Sequence, residues 1–518
     1  CRGGPRATGR TTVRAPALLL LAALAAPLAR GYPLDGAART GIRRLAGYRL
    51  AHERKIPGGP RLPAGALLRS DQIVLRLEGR NEALDIGPKT PPHPALQAGL
   101  EKIFAARDPS YGVTLVDISD PGRPAYAALR PGLRMIPGSV GKLLIVTGMF
   151  DALARRFPAS VEAREKMLRE TVVTADRFAV GDGKTVPFYQ EGEPAVTRRP
   201  VRLGDRFSLW EWMDHMLSES NNAAGSMVWK QALLLRRFSE RYPVAADEET
   251  KFFRETPKPE LTRLALEGLE EPLRAAGLDT GKLRLGTFFT KGASAVIPGT
   301  ASYAEPGELL RWLVRMEQGR LVDAWSSLEI KKLLYFVRPR YRYAASPALA
   351  RAAVFFKSGS LFECVSEPGF TCRQYQGNQT NLMHSAAVVE SGKTVYLVAI
   401  LSNVLRVDSA GEHQALAGEI ERLVQARVST RQAKAWLKPA PPRVRQGYFL
   451  TDPGHGGAAA GASQCWGRGL AGGIGQDFAR WVLEALDGSA DWNQDRMVTV
   501  AEVFRYVTSR VNLDTERA

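Results

Sequence analysis

Two groups of strand signals stand far apart in this chain, and that separation constrains the fold more than any other feature. Alternating apolar runs at 111–118 (YGVTLVDI) and 125–130 are joined by the Asp120-Pro-Gly turn. Three more runs come late, at 354–356, 381–389 and 395–404, the last two joined by Ser391-Gly-Lys. Between the groups the apolar spacing is helical, with helices predicted at 143–157, 209–217, 308–318 and 327–334. Another helix precedes the strands, at 96–106, and one follows them, with Leu416, Ile420, Leu423 and Val424 on one face. Sequential antiparallel strands with segregated helices indicate an α+β domain over about 95–430. The expected architecture is a five-stranded antiparallel sheet flanked by helices, with an all-helical insert.

Outside that block the character changes. Arg2, Arg6, Arg10 and Arg14 precede an uncharged apolar run over 15–29. That run is shorter than the roughly 20 residues of a membrane-spanning helix. Basic residues, a short apolar stretch and small residues after it read as a secretory signal peptide over 1–31. Export to a bacterial periplasm or the extracellular space is the expectation. Residues 32–94 are rich in Pro, Gly and Arg and read as an extension or linker with one strand at 72–77. Residues 431–518 open with the Pro-rich linker KPAPPR, continue through a Gly-rich stretch, and end in a small helical appendage with a helix at 478–486.

Composition bounds the function class. Hydrophobic residues make up 45% and charged residues 24%, which excludes a disordered, collagenous or multi-span membrane chain. Lys and Arg number 71 against 53 Asp and Glu, a net charge of +18 that favours anionic partners. The basic residues are scattered, and no zinc-finger, RNP-like or basic-helix pattern points to nucleic acid. Anionic cell-wall polymers fit better. The four cysteines form no C-x-x-C pair. Cys364 and Cys372 are close enough to bridge a loop or to stand as two thiols. His52, His93, His215, His384 and His413 show no metal-ligand spacing and read as surface or packing residues.

Three short motifs carry chemistry. Ser139-Val140-Gly141-Lys142 opens a predicted helix, so Ser139 and Lys142 share a face one turn apart. A serine hydroxyl is a weak nucleophile until a neighbouring base takes its proton. Lys142 can be that base if burial or nearby cations lower its pKa. Ser220-Asn221-Asn222 follows an amphipathic helix. There a second hydroxyl can relay a proton to a leaving nitrogen, and the Asn222 amide can hold both Lys142 and a substrate carbonyl. Lys357-Ser358-Gly359-Ser360 ends a strand. Lys357 can attract a substrate carboxylate, and Gly359 admits substrate close to the backbone. The N–H groups of Ser139 and Ser360 can form an oxyanion hole. Singly, each motif is weak: S-x-x-K turns up about once by chance in a chain this long. A helix cap, an Asn-rich turn and a solvated strand end are their ordinary explanations.

In this order the three resemble the S-x-x-K, S-D-N and K-T-G pattern of class A serine β-lactamases and penicillin-binding DD-peptidases. VTLVDI before the nucleophile and SNNAA after a helix add to the resemblance, which covers about 95–430. It implies that Ser139 is acylated, Lys142 is its proton partner, and Ser220 relays a proton. It further implies that Asn222 binds the substrate amide and that Lys357, Ser358 and Gly359 face the substrate carboxylate. The implied substrates are β-lactams or peptidoglycan stem peptides, with no cofactor for catalysis. Asn221 and Ser358 replace the usual Asp and Thr. A larger departure is the missing glutamate of the E-x-x-L-N loop that activates water in class A enzymes. Residues 272–304 hold no Glu, and Asp279 is their only acid. Acylation is therefore better supported than rapid turnover.

In the tail, Asp491, Asn493, Asp495, Met497, Thr499 and Glu502 have the spacing of an EF-hand calcium loop. Arg496 stands where that loop needs Gly. The surrounding segment also resembles the end of bacterial caspase-like domains. His455 and Cys465 are too close together for that family's dyad.

Overall fold

The computed structural model describes residues 31–436, apart from 60, 81–84, 88–89 and 337–339. A five-stranded antiparallel sheet forms the frame. Its strands are β1 (Gly112–Asp117), β2 (Ala125–Leu129), β3 (Ala353–Glu363), β4 (Thr380–Ser391) and β5 (Thr394–Asn403). Their order is β2-β1-β5-β4-β3, so the early pair docks on the last strand of the late group. Asp117 lies opposite Tyr396, and Ser385 opposite Ser358. The β4–β5 turn is tight, and Gly392 supplies its φ of 60°.

Side chains alternate across the strands, so each face buries its own core. Val113, Leu115, Val398 and Ile400 point to one side. They meet Leu96 and Leu100 of α1 (Pro94–Phe104) and Leu416 and Ile420 of a long C-terminal helix, Ala410–Trp436. Val116, Phe355, Val388, Leu397 and Ala399 point to the other side, against the helical insert. That insert is built on α2 (Lys142–Arg156), α3 (Leu209–Leu217) and α4 (Asn222–Phe238). Ser208 and Glu211 close a capping box on α3, and Asn221 caps α4. Trp229 stacks on Phe288 at 4.0 Å, and the indole N–H of Trp312 reaches Thr147 Oγ1 at 3.2 Å. Large aromatic groups thus fill the insert while their polar atoms stay bonded.

Two expectations are corrected. Residues 32–52 are not a linker: Tyr32–Asp35, Ala37–Thr40 and Arg43–His52 are helices, with Ile42, Leu45 and Tyr48 buried in the main core. The strand expected at 72–77 is absent; Ser70–Gln72 is a 3-10 turn, and Ile73 and Leu77 are buried singly. The anchors here are distant ion pairs, Arg44 with Asp214 of α3 and Arg39 with Glu329. Such pairs leave no apolar period in the sequence. The expected outline of strands and helices from 95 to 430 otherwise holds, with the strand at 354–356 extended to Ala353–Glu363 and with short strand pairs, such as Thr185–Phe188 against Thr197–Pro200, inside the insert expected to be all-helical.

Candidate active site

The three motifs meet at the edge of the sheet beside β3. Ser139 sits in the 3-10 turn Gly138–Gly141, and Lys142 is the first residue of α2. One turn of separation brings Lys142 Nζ to 2.9 Å from Ser139 Oγ. The same nitrogen reaches Asn222 Oδ1 at 2.7 Å and the Ser220 carbonyl at 2.9 Å. From β3, Lys357 Nζ donates to Ser220 Oγ at 2.9 Å. Ser358 Oγ donates to the carbonyl of His384 on β4 at 2.9 Å. All eight residues singled out from the sequence, Ser139, Lys142, Ser220, Asn222, Lys357, Ser358, Gly359 and Ser360, belong to this one region.

Backbone geometry explains the fit. Ser220 has φ 54°, a left-handed conformation that is uncommon outside glycine. It turns the Ser220 carbonyl toward the lysines while its hydroxyl reaches Lys357. Gly359 is required by close approach: a Cβ there would lie 2.6 Å from the Pro137 carbonyl and 3.3 Å from Ser139 N. A Cβ on Gly138 would lie 3.1 Å from Ser360 N. The amide nitrogens of Ser139 and Ser360 are therefore neighbours, as paired donors to one oxyanion must be. His384 holds the far side: Nδ1 accepts from Ser402 N, so Nε2 donates to the Ile136 carbonyl at 2.9 Å. Burial pushes that imidazole down to about 4, which keeps it neutral.

Four further side chains of this region escaped the sequence reading. Lys184 Nζ donates to the Ser220 carbonyl at 3.0 Å. Arg342 bonds Ser358 Oγ and reaches the Gly359 carbonyl at 3.1 Å. Asp182 accepts from the N–H groups of Asn222 and Ala223 at 2.6 Å and 3.1 Å. Phe289 lays its ring over Lys142, 4.3 Å from Nζ. Gly181-Asp182-Gly183-Lys184 carries a turn signal that could have marked this loop, whereas nothing in sequence separates Arg342 or Phe289 from ordinary residues.

The cluster is cationic and buried. Burial holds Lys142 well below the usual lysine range, and the charges of Lys184 and Lys357 add to it, while Asp182 opposes. Lys357 is lowered likewise, by burial first and then by Lys184 and Arg342. A lysine lowered in this way can accept the proton of a bonded serine. Among the described residues, no carboxylate lies within hydrogen-bond distance of Ser139 or Lys142.

Neither a family model nor a curated protein matches the chain. Solved structures do share its outline. A β-lactamase from Sphaerobacter thermophilus is 14% identical, covering 67% of this chain and 99% of its own, with a TM-score of 0.41. The penicillin-binding protein PBP-A is 13% identical, covering 67% and 99%, with a TM-score of 0.40. A β-lactamase from Chitinophaga pinensis is 15% identical, covering 65% and 100%, with a TM-score of 0.39. What the pocket can do follows from its own distances.

No group of three or more His, Cys, Asp and Glu side chains could hold a metal ion among the described residues. The calcium loop expected at Asp491, Asn493, Asp495, Met497, Thr499 and Glu502 lies outside them, as do His455 and Cys465 and almost all of the expected signal peptide. No described helix is long and apolar enough to cross a membrane. Cys364 and Cys372, left open above, form a disulfide in the loop after β3.

Proposed function

We propose that the protein is an exported serine acyl-transfer hydrolase that opens β-lactam amides through an ester on Ser139. The observation that carries this reading is the 2.9 Å contact of Ser139 Oγ with a buried, cation-flanked Lys142, which lies beside the equally short Lys357–Ser220 contact. Neutral Lys142 takes the proton of Ser139 as its oxygen attacks the carbonyl carbon. The Ser139 and Ser360 N–H groups stabilise the resulting oxyanion. Collapse breaks the C–N bond, and Ser220 relays to the leaving nitrogen the proton that Lys142 took from Ser139. Arg342 holds the substrate carboxylate by charge, and Lys357 and Ser358 hold it by hydrogen bonding. The disulfide suits an oxidising compartment, as export requires. The excess of basic groups suits anionic wall polymers.

One observation favours a second reading, a D-Ala-D-Ala carboxypeptidase acting on peptidoglycan stem peptides. Phe289 covers Lys142, and Asp182 is committed to the start of α4. With no positioned carboxylate, water attacks the ester slowly. Labelling with a fluorescent penicillin tests both. Label that fades within seconds supports the lactamase, and label that persists supports the peptidase. The absence of label at high protein concentration overturns acyl transfer and leaves a non-catalytic wall-binding module. Label retained by Ser139→Ala refutes the nucleophile.

A further inference from the structure

A second cavity, of about 750 Å³, lies outside the acyl pocket. It is framed by the hairpin Thr185–Phe188/Thr197–Pro200, the start of α3, and the start of helix Arg43–His52. Its volume is that of a small-molecule site. His215 lines it and is 2% exposed, yet neither ring nitrogen has a hydrogen-bond partner. Asp214 is 3.9 Å from Nδ1, beyond hydrogen-bond reach, and is bound instead to Arg44. The ring packs edge-on against Phe207 at 4.8 Å. Buried imidazole nitrogens are ordinarily satisfied, because leaving one unpaired is costly.

The charges at the wall and rim are uneven. Glu211 is bound by Arg43 at 2.7 Å, and Asp205 by Arg199 at 2.7 Å. Glu193 accepts from the Gln190 N–H. The remaining two guanidinium groups, on Arg169 and Arg206, are exposed and form no ion pair or hydrogen bond among the described residues. Guanidinium forks match carboxylate and phosphate oxygens. Burial keeps His215 neutral, so its ring offers one donor and one acceptor, the complement of a hydroxyl group. Tyr189, Phe188 and Phe207 add aromatic rings to the wall.

We propose that this cavity binds a polyhydroxylated organic anion, a sugar acid or sugar phosphate, with its anion on Arg169 and Arg206 and a hydroxyl on His215. The site stands on the scaffold of the acyl pocket without sharing its groups: the His215 carbonyl accepts from Asn221 N–H at 3.1 Å. Calorimetry on the full chain tests it, with glucuronate, glucose 6-phosphate, glucose and inorganic phosphate as probes. One or both anionic sugars should bind at least about tenfold tighter than glucose or phosphate, since each of those probes lacks one of the two kinds of contact. Arg169→Ala and Arg206→Ala should each weaken that binding about tenfold. His215→Phe keeps the ring against Phe207, removes both nitrogens, and should weaken it as well. Equal affinity for phosphate alone, no heat from either anionic sugar, or unchanged binding in both arginine variants overturns the proposal. Unchanged binding in a folded His215→Phe removes the hydroxyl assignment. Because Arg169 and Arg206 are exposed, their variants decide the question even if His215→Phe fails to fold.

Discussion

Replacing Lys184 by Gln should move the pH at which Ser139 becomes reactive. Lys184 and Lys142 donate to the same Ser220 carbonyl, at 3.0 Å and 2.9 Å. Their nitrogens therefore lie no more than about 6 Å apart. At that separation, with an effective dielectric near 20, two full charges repel by about 3 kcal/mol, or roughly two pH units. Burial and Arg342 lower Lys184 itself while Asp182 opposes them, so it carries less than a full charge near the top of its range. A displacement of about one to two units is therefore expected. The sign follows from the proton inventory. Lys142 is held low in the folded protein, accepts a proton only when neutral, and so acylation rises with pH through its folded pKa. Removing a neighbouring positive charge favours the ammonium form, raises that pKa, and carries the limb to higher pH. At pH values on the rising limb, below the folded pKa, acylation should then fall about tenfold to a hundredfold. Stopped-flow labelling by a fluorescent penicillin across about pH 5 to pH 10 reads the limb directly. Lys184→Arg, which keeps the charge, should leave the limb near its original position. A limb unmoved in Lys184→Gln, or moved as far in Lys184→Arg, refutes the electrostatic account.

Three other substitutions probe separate parts of the structure. Phe289→Glu puts a carboxylate where a ring now covers Lys142; the label should be lost at least about tenfold faster, and an unchanged lifetime would count against slow deacylation for want of a base. Gly359→Ala places a methyl 2.6 Å from the Pro137 carbonyl and pushes β3 off the Ser139 turn; acylation should fall by about a hundredfold, and a normal rate would contradict the close approach. Lys331→Met removes the ammonium that bonds Glu317 and Glu390, both at 2.7 Å, in the buried interior. Glu317 then lacks its buried counter-charge, and urea unfolding should show a loss of about 3 kcal/mol; a loss under about 1 kcal/mol would argue against a tightly coupled group.

The frame of the fold was legible because periodicity is a local record of which face is buried. Val113 and Leu115 alternate with Thr114 and Val116 because each strand separates two cores. The nucleophile and its base were legible for a similar reason: Ser139 and Lys142 are one helical turn apart, so sequence spacing alone sets their approach. The helices at 32–52 were not legible, because Arg44 finds Asp214 at a separation of 170 residues and leaves no period behind. Phe289 gave no signal either, since a phenylalanine over a lysine and a phenylalanine in a core look alike in one dimension.

By itself the sequence determined which residue types could act and which of them share a turn or strand. Ser139 with Lys142, Ser220 with Asn222, and Lys357 with Gly359 are pairs fixed by neighbouring backbone. Only the tertiary structure decided that these pairs meet, that Lys184 and Arg342 join them, and that nearby acid is held away from the serine. The physical reason is range: backbone geometry sets distances within a turn, whereas burial and charge repulsion are properties of everything that packs around a group.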